Sequence, residues 1–302
     1  MIDTTIDKRT KPKEISKLKK KRNRKKIISS LTFHIAALVI GVIMIYPLLW
    51  ALASSFKDNA TMFTNAYSLI PETWAIVENY VSGWDGISGY SFGRFMLNSL
   101  IVAGAGTIGG VFSSVMAAYA LSRVNFKFSG FWFMCVMVTL MIPNEVMVVP
   151  QYIILRWLGL IDSLPALMAP WIFGHAFFIF LMVQFIRGLP ISLDEAAKMD
   201  GAGKLGIFFK IILPLVAPAI VTSTIFCFYW IWQDFFQPLI FISSPEWFTV
   251  SLALNLYLDP NSYSNYGGLF AMSTLSLIPV IGVFLLFQRY LVEGIATSGV
   301  KG

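Results

Sequence analysis

Long apolar runs separated by short polar stretches organise this chain. Runs of roughly 20 apolar residues are long enough to cross a hydrocarbon core as helices, and they fall at about 31–53, 97–121, 131–153, 164–186, 211–233 and 268–290. The expected fold is therefore all-α, an integral membrane protein with six transmembrane helices. Pro143 and Pro150 interrupt the third run, and Pro165 and Pro170 the fourth. Prolines are tolerated in spans when neighbouring helices satisfy the freed backbone groups. In the second run Gly106, Gly110, Ser114 and Ala118 recur every four residues. Such a stripe lets helices approach closely in lipid, and a packing role fits it better than a substrate pathway.

Between the fourth and fifth runs lies a polar, helix-forming stretch, residues 188–213. Ser192 followed by Glu195 reads as a capping box, and Asp194 and Glu195 suit the positive end of a helix dipole. A helix of about two turns is expected to begin near Leu193. Gly201 then supplies its stop, and Pro214 suits the first turn of the next helix rather than its middle.

Composition excludes an ordinary soluble domain: 57% of residues are apolar and 13% charged, with a mean hydropathy of +0.71. Charge sets the expected orientation. Of the 23 Lys and Arg, 12 lie in residues 1–26, and Arg123, Lys127, Arg187, Lys198, Lys204, Lys210, Arg289 and Lys301 fall on the same side of the expected spans. Only Lys57, Arg94 and Arg156 fall on the other. By the positive-inside rule both termini and the 188–213 loop are cytoplasmic. The chain divides into a basic N-terminal tail, 1–26, a six-helix domain, 27–290, and a C-terminal tail, 291–302. The net charge of +7 is topological, and the basic tail suits a lipid bilayer surface better than nucleic acid. The first run is too long for a signal peptide and lacks a small-residue cleavage pattern.

Candidate chemistry is sparse. Cys135 and Cys227 fall inside expected spans and read as small hydrophobes. His34, Glu145, His175 and Asp234 are the ionisable groups in or near spans. The histidines suit helix packing, and the two carboxylates suit external helix ends where water reaches them. No metal-ligand spacing and no Ser, His and Asp arrangement stands out, so neither a catalytic nor a metal site is expected. Near the end of the fifth run, Tyr229, Trp230, Trp232, Gln233 and Asp234 join aromatic faces to amide and carboxylate groups, a combination that suits a sugar in a transport pathway. The same residues fit an aromatic belt at the membrane surface. The external segments 57–95 and 241–266 are too short for a separate binding domain. The first would cover the mouth of a pathway, and aromatic residues of the second would anchor at the interface. Gly201-Ala202-Gly203-Lys204-Leu205 lacks the spacing and the hydroxyl of a phosphate-binding loop, so no nucleotide is expected on this chain.

The spacing Glu195-Ala196-Ala197, Gly201, Ile211, Leu213-Pro214 resembles the cytoplasmic "EAA" loop of ABC importer permeases. Further landmarks resemble the carbohydrate-uptake, maltose-type subunits: Tyr46-Pro47, Ser54-Ser55-Phe56-Lys57, Glu78-Asn79-Tyr80, Asn98-Ser99, Ala118 to Arg123, Met141-Ile142-Pro143, and the ending Phe287 to Tyr290, Glu293-Gly294 and Gly299 to Gly302. Trp232-Gln233-Asp234-Phe235 with Pro238-Leu239 is similar to a segment of such permeases in which Asn usually stands at the place of Gln233. The resemblance implies a type I ABC importer permease in a bacterial cell membrane. Its partners would be a second, homologous permease subunit, an ATP-binding cassette ATPase dimer carrying the ATP and Mg, and an extracytoplasmic solute-binding protein. The loop would be the coupling helix, with Glu195, Ala196, Ala197, Asp200, Gly201, Ile211, Leu213 and Pro214 in its motif. Glu195 would pair with a basic group of the ATPase, and the alanines would allow close approach. Gly299, Val300, Lys301 and Gly302 would reach the ATPase interface. Transport of a sugar, an oligosaccharide by this resemblance, would proceed by alternating access. Two other classes stand beside it: an ATP-independent secondary transporter of a small polar solute, which would usually show ion-coupling groups in mid-membrane and repeat symmetry, and an intramembrane enzyme, which would need convergent catalytic groups.

Overall fold

The computed structural model describes residues 12–64, 67–258 and 265–298. The first helix, α1 (Pro12–Ser54), begins well before the apolar run and continues through it. A short helix, α2 (Ile76–Asp85), follows and leads into α3 (Phe92–Arg123), the second span. The third apolar run is divided into α4 (Ser129–Leu140) and α5 (Asn144–Trp157). The fourth becomes α6 (Leu164–Ile172) and α7 (Ala176–Gly188), and the polar stretch becomes α8 (Ser192–Met199). Next, α9 (Lys204–Ile207), a π turn (Phe208–Ile212) and α10 (Leu213–Leu215) form one helical run ahead of α11 (Ala217–Gln233). The short helices α12 (Phe236–Phe241) and α13 (Val250–Leu256) precede the last span, within α14 (Tyr266–Ser298).

Among the described residues four helical stretches are long and apolar enough to cross a membrane: Ile28–Ser54, Phe92–Arg123, Leu164–Gly188 and Tyr266–Tyr290. The other two expected spans are bent. The third turns by 109° between α4 and α5, and the fifth by 74° between Lys204–Leu215 and Ala217–Gln233. The bends sit at prolines. Pro143 supplies no N–H and biases Ile142 away from helix, so α5 starts anew. Pro214 and Pro218 each remove a donor around the second bend. The fifth span is therefore broken, with Ala217–Gln233 beyond the bend and Pro214 in the short turn Leu213–Leu215 on its near side.

The helix α3 is the centre of the bundle, in contact with α6, α7, α11 and α13. Its stripe of Gly106, Gly110, Ser114 and Ala118 is buried. A Cβ at Gly110 would lie 2.6 Å from the Trp171 carbonyl oxygen, and one at Gly106 would lie 2.7 Å from the Ile231 side chain. The stripe is thus where α6 and α11 close on α3. By contrast α1 is peripheral: from Ile28 to Leu49 its large apolar side chains are exposed, and it meets the bundle through α14, with Trp50 edge-on to Phe270 at 5.2 Å. That surface suits lipid. In the segment 57–95, α2 packs on α14, where Gly83 lies against Met272.

Two segments at one end of the bundle are clasped by a carboxylate. Asp162, at φ 61, accepts from the Ser243 and Ser244 amides at 2.8 Å each and from the Ser244 hydroxyl at 2.5 Å. Its own N–H donates to the Phe241 carbonyl at 2.9 Å. Burial raises the Asp162 pKa, but the Ser244 hydroxyl and the two amides outweigh it and hold the carboxyl below its ordinary range.

Two outcomes are expected. Gly110→Ala should destabilise by about 1–3 kcal/mol through overpacking, read as a lowered Tm in detergent. Gly104→Ala, where a Cβ meets nothing within 4 Å, should be neutral or gain about 0.5–1 kcal/mol. Because the folded-state pKa of Asp162 is depressed, its contribution is present above the unfolded carboxylate pKa and is lost as pH falls through the folded one. The Tm gap between the natural chain and Asp162→Asn should be constant near neutrality and close below pH about 4.

Candidate functional site: a clamped polar helix and a cavity at the helix breaks

The polar helix α8 is held from inside. Asp194 and Ala197, three residues apart and so on one face, are 4% and 6% exposed. Arg123, the last residue of α3, brings Nε to 3.4 Å from Asp194 Oδ2, and both side chains are 6% exposed. The Arg123 guanidinium also donates to the carbonyls of Ile186 at 2.8 Å and Leu189 at 2.6 Å, closing the C-terminal end of α7. One turn earlier on α3, the Tyr119 hydroxyl donates to the Lys204 carbonyl at 2.9 Å, at the start of α9. One helix end thus grips both flanks of the loop and its middle. The contact is Coulombic more than hydrogen-bonded: Asp194 Oδ1 is buried without a partner, and Arg123 Nε lacks hydrogen-bond alignment.

The expected capping box does not form. Ser192 is already inside the helix, Ile191 occupies the N-cap position, and no side chain caps it. The chain enters from Pro190 through tight turns, with Leu193 N–H bonded to the Pro190 carbonyl at 3.3 Å and Asp194 N–H to that of Ile191 at 3.0 Å. At the other end Gly201, at φ 82, makes the stop. Gly201 N–H donates to the Lys198 carbonyl at 3.0 Å and Ala202 N–H to that of Ala197 at 2.9 Å, a Schellman closure that needs a left-handed residue. Of the residues expected in the loop motif, Glu195, Ala196, Asp200 and Gly201 are exposed, whereas Ala197 turns inward and packs. Ile211 and Leu213 pack against the core, and Pro214 is exposed. Ile191, Met199 and Leu205 stand out around α8 at 63%, 89% and 69% exposure. Gly299, Val300, Lys301 and Gly302 lie outside the described residues.

A cavity of about 860 Å³ opens where three helical runs break: Met141–Pro143, Phe173–His175 and Asp234–Phe235. The helices α4 and α7, of 12 and 13 residues, separate it from the α8 end by about 18–20 Å at 1.5 Å per residue. That depth lies past the middle of a hydrocarbon core of about 30 Å. Of the five expected pathway residues, Trp230, Gln233 and Asp234 line the cavity and Tyr229 and Trp232 do not. Trp232 is buried against Phe228, with rings stacked at 5.7 Å, and Tyr229 faces outward. Spacing explains only part of this: 230, 233 and 234 share a helix face and 232 lies off it, but 229 is one turn from 233, so its outward position is set by packing.

Other helices complete the lining. Glu145, in the first turn of α5, lines this cavity and is exposed. Asp234 is likewise at the break, where Oδ1 accepts from the amides of Phe236 at 3.1 Å and Gln237 at 3.3 Å. His175 packs, as its ring stacks on Trp171 at 5.3 Å, but it also lines the cavity. Its neighbour Trp230 packs against Phe177 and Phe178 at 5.3 and 5.2 Å. Gln151 and Gln237 line the cavity too, and nothing in their local sequence marks them. Aromatic faces beside amides and carboxylates can hold a polyhydroxyl ligand: rings cover C–H surface and acceptors take hydroxyl protons.

Known proteins resemble this chain over most of its length. The family model described as "Binding-protein-dependent transport system inner membrane component" matches residues 109–297. A probable ABC transporter permease protein of Bacillus subtilis, YurM, is 36% identical over 96% of this chain and 95% of its own length. The arabinooligosaccharides transport system permease protein AraQ of Halalkalibacterium halodurans is 33% identical over 87% of this chain and 93% of its own. Among solved structures, a chain from a bacterial ABC transporter involved in the import of the acidic polysaccharide alginate superposes with a TM-score of 0.75 and 23% identity, covering 88% of this chain and 98% of that one. The last likeness shows a shared fold.

Removing Asp194 alone leaves a buried guanidinium uncompensated. Asp194→Asn should therefore destabilise by about 3–5 kcal/mol, whereas Arg123→Met with Asp194→Leu should recover much of that loss. Tm in detergent for the single and double variants checks it.

Proposed function

The chain belongs to the family of binding-protein-dependent transport system inner membrane components, with the all-α type I ABC importer permease fold, and from that premise we propose that it is one of two permease subunits in an ATP-driven importer of an oligosaccharide. The exposed outer face of α8, set on a buried inner face, is the observation that carries the coupling part of this reading. Glu195, Ala196, Lys198, Met199 and Asp200 point away from the bundle, and large apolar side chains stand exposed beside charged ones. In water that arrangement suits an interface with another protein. The partner is an ATPase dimer that binds ATP and Mg. Glu195 meets a basic group of the ATPase, and Met199 and Leu205 supply apolar anchors. The distribution of Lys and Arg supports a cytoplasmic α8 and cytoplasmic termini.

The cavity is the substrate's station in alternating access. ATP-driven closure of the ATPase pair moves α8, and the move passes through the Arg123 grip to α3 and α7. The cavity then faces outward to a loaded extracytoplasmic binding protein, and hydrolysis returns it inward. The arabinooligosaccharide relative and the aromatic lining support an oligosaccharide.

Glu195 is exposed, so Glu195→Lys should leave Tm unchanged within about 0.5 kcal/mol. It should nevertheless lower co-purification of the ATPase and ATP-driven sugar uptake in proteoliposomes by tenfold or more, about 1.4 kcal/mol or above. Uptake that proceeds without ATP in the natural complex would replace this reading with secondary transport.

A further inference from the structure

The cavity carries an imbalance of chemistry that bears on which saccharides it accepts. Among the described residues that line it, none is Lys or Arg, while Glu145 and Asp234 both face it. Gln237 is 8% exposed. Its Nε2 donates to Gln151 Oε1 at 3.3 Å, and its Oε1 is buried with no partner. A buried acceptor without a donor is unfavourable, so a ligand hydroxyl gains by meeting the amide of Gln237, which lines the cavity.

Helix N-termini work the other way and must be weighed. The N-terminal ends of α5 and α7 meet at the cavity, and each carries about +0.5 charge, which alone would attract an anion. Both ends are already answered from within the chain. Glu145 sits in the first turn of α5, and His175 Nδ1 accepts from the Phe177 amide on α7 at 3.4 Å. Two carboxylates outweigh the two half-charges, and the C-terminal ends of α4, α6 and α11 at the same breaks are themselves partly negative, so the cavity is net negative. Among the described lining residues no guanidinium or ammonium is present to form the paired bonds that favour carboxylate, phosphate or sulfonate groups.

We propose that Glu145, Asp234 and Gln237 make this cavity an acceptor-lined subsite for uncharged saccharides and exclude saccharides bearing an anionic group. The proposal rests on the import reading above. Trp230, with Trp171 and His175 on the neighbouring run, covers the sugar's C–H surface, and the three acceptors take its hydroxyl protons. Glu145 and Asp234 are then specificity-determining residues, because they repel what the aromatic surfaces would otherwise tolerate.

The test is saccharide binding to the assembled transporter in nanodiscs without the binding protein, followed by saturation-transfer NMR. Arabinotriose and maltotriose are the uncharged probes, and trigalacturonate is the anionic probe of equal length. The natural complex should bind at least one uncharged probe and bind trigalacturonate tenfold or more weakly. Glu145→Gln with Asp234→Asn, a near-isosteric pair that keeps the fold, should narrow that gap by about tenfold. Trp230→Ala should weaken the uncharged probe. Equal binding of both classes, binding of neither, or an unchanged gap in the double variant overturns the proposal. Selective binding with no ATP-driven uptake would instead overturn the import reading and leave the selectivity standing.

Discussion

The ion pair between Arg123 and Asp194 is the contact on which the rest of the molecule's working arrangement depends. It joins the end of the central helix α3 to a short helix outside the bundle, and both side chains are nearly withdrawn from solvent. A pair so placed need add little net stability, since desolvation offsets the attraction. Its effect is on position. An eight-residue helix is too short to hold itself, and with no capping side chain it depends on Asp194 and Ala197 to fix its orientation. The pair also tolerates movement. Coulomb energy varies as 1/r, so widening the gap by 1 Å forfeits about a quarter of the attraction, whereas an aligned hydrogen bond would be lost. Asp194 Oδ1, buried and unpaired, leaves room for the carboxylate to turn without breaking another bond.

The same guanidinium links the two parts of the site. By holding the carbonyls of Ile186 and Leu189, Arg123 fixes one end of α7. The other end of α7 is His175, in the wall of the cavity. A helix of 13 residues spans about 20 Å and is stiff over that length, so under the proposed coupling a displacement at α8 would reach the cavity without a chain of small rearrangements. The central helix α3 has no break over its 32 residues, and its small-residue stripe brings α6 and α11 within contact of its backbone. The broken runs supply the opening and the unbroken one supplies the frame.

How far the sequence foretold this depends on whether the signal was local. Apolar run length was sufficient to place the spans, because the requirement to cross about 30 Å of hydrocarbon acts on every residue of a run. The Gly201 stop was legible for the same kind of reason: a helix must close its last carbonyls, and few residues accept positive φ. The helix begins at Ser192, within one residue of the expected Leu193, but Ser192 and Glu195 satisfy a local capping pattern that does not form, because Ser192 lies inside the helix and Ile191 takes the N-cap position. Helical spacing alone could have set Trp232 apart from Trp230, Gln233 and Asp234, but not Tyr229, which lies one turn from Gln233. Glu145 and Gln151 could not be placed at the cavity from sequence, since the 109° bend that brings α5 there depends on packing as well as on Pro143, and Gln237 could not because it lies past the break that follows α11. Arg123 and Asp194 are separated by two spans, and nothing in either neighbourhood names the other.

Exposure on the outer face of α8 has a different physical meaning from exposure on α1. The apolar side chains of α1 lie in a continuous run of about hydrocarbon length and need only lipid. Around α8 the apolar residues Ile191, Met199 and Leu205 alternate with Glu195, Lys198 and Asp200, so no lipid environment suits the whole face and water suits only half of it. A protein surface with matching charge and apolar pockets suits all of it. The inward pair that fixes α8 also presents that face rigidly, which reduces the ordering cost of docking. Grip on one side and an exposed, mixed face on the other thus follow from one short helix, in which positions 194 and 197 belong to this chain's core and positions 195, 196, 198 and 199 stay exposed.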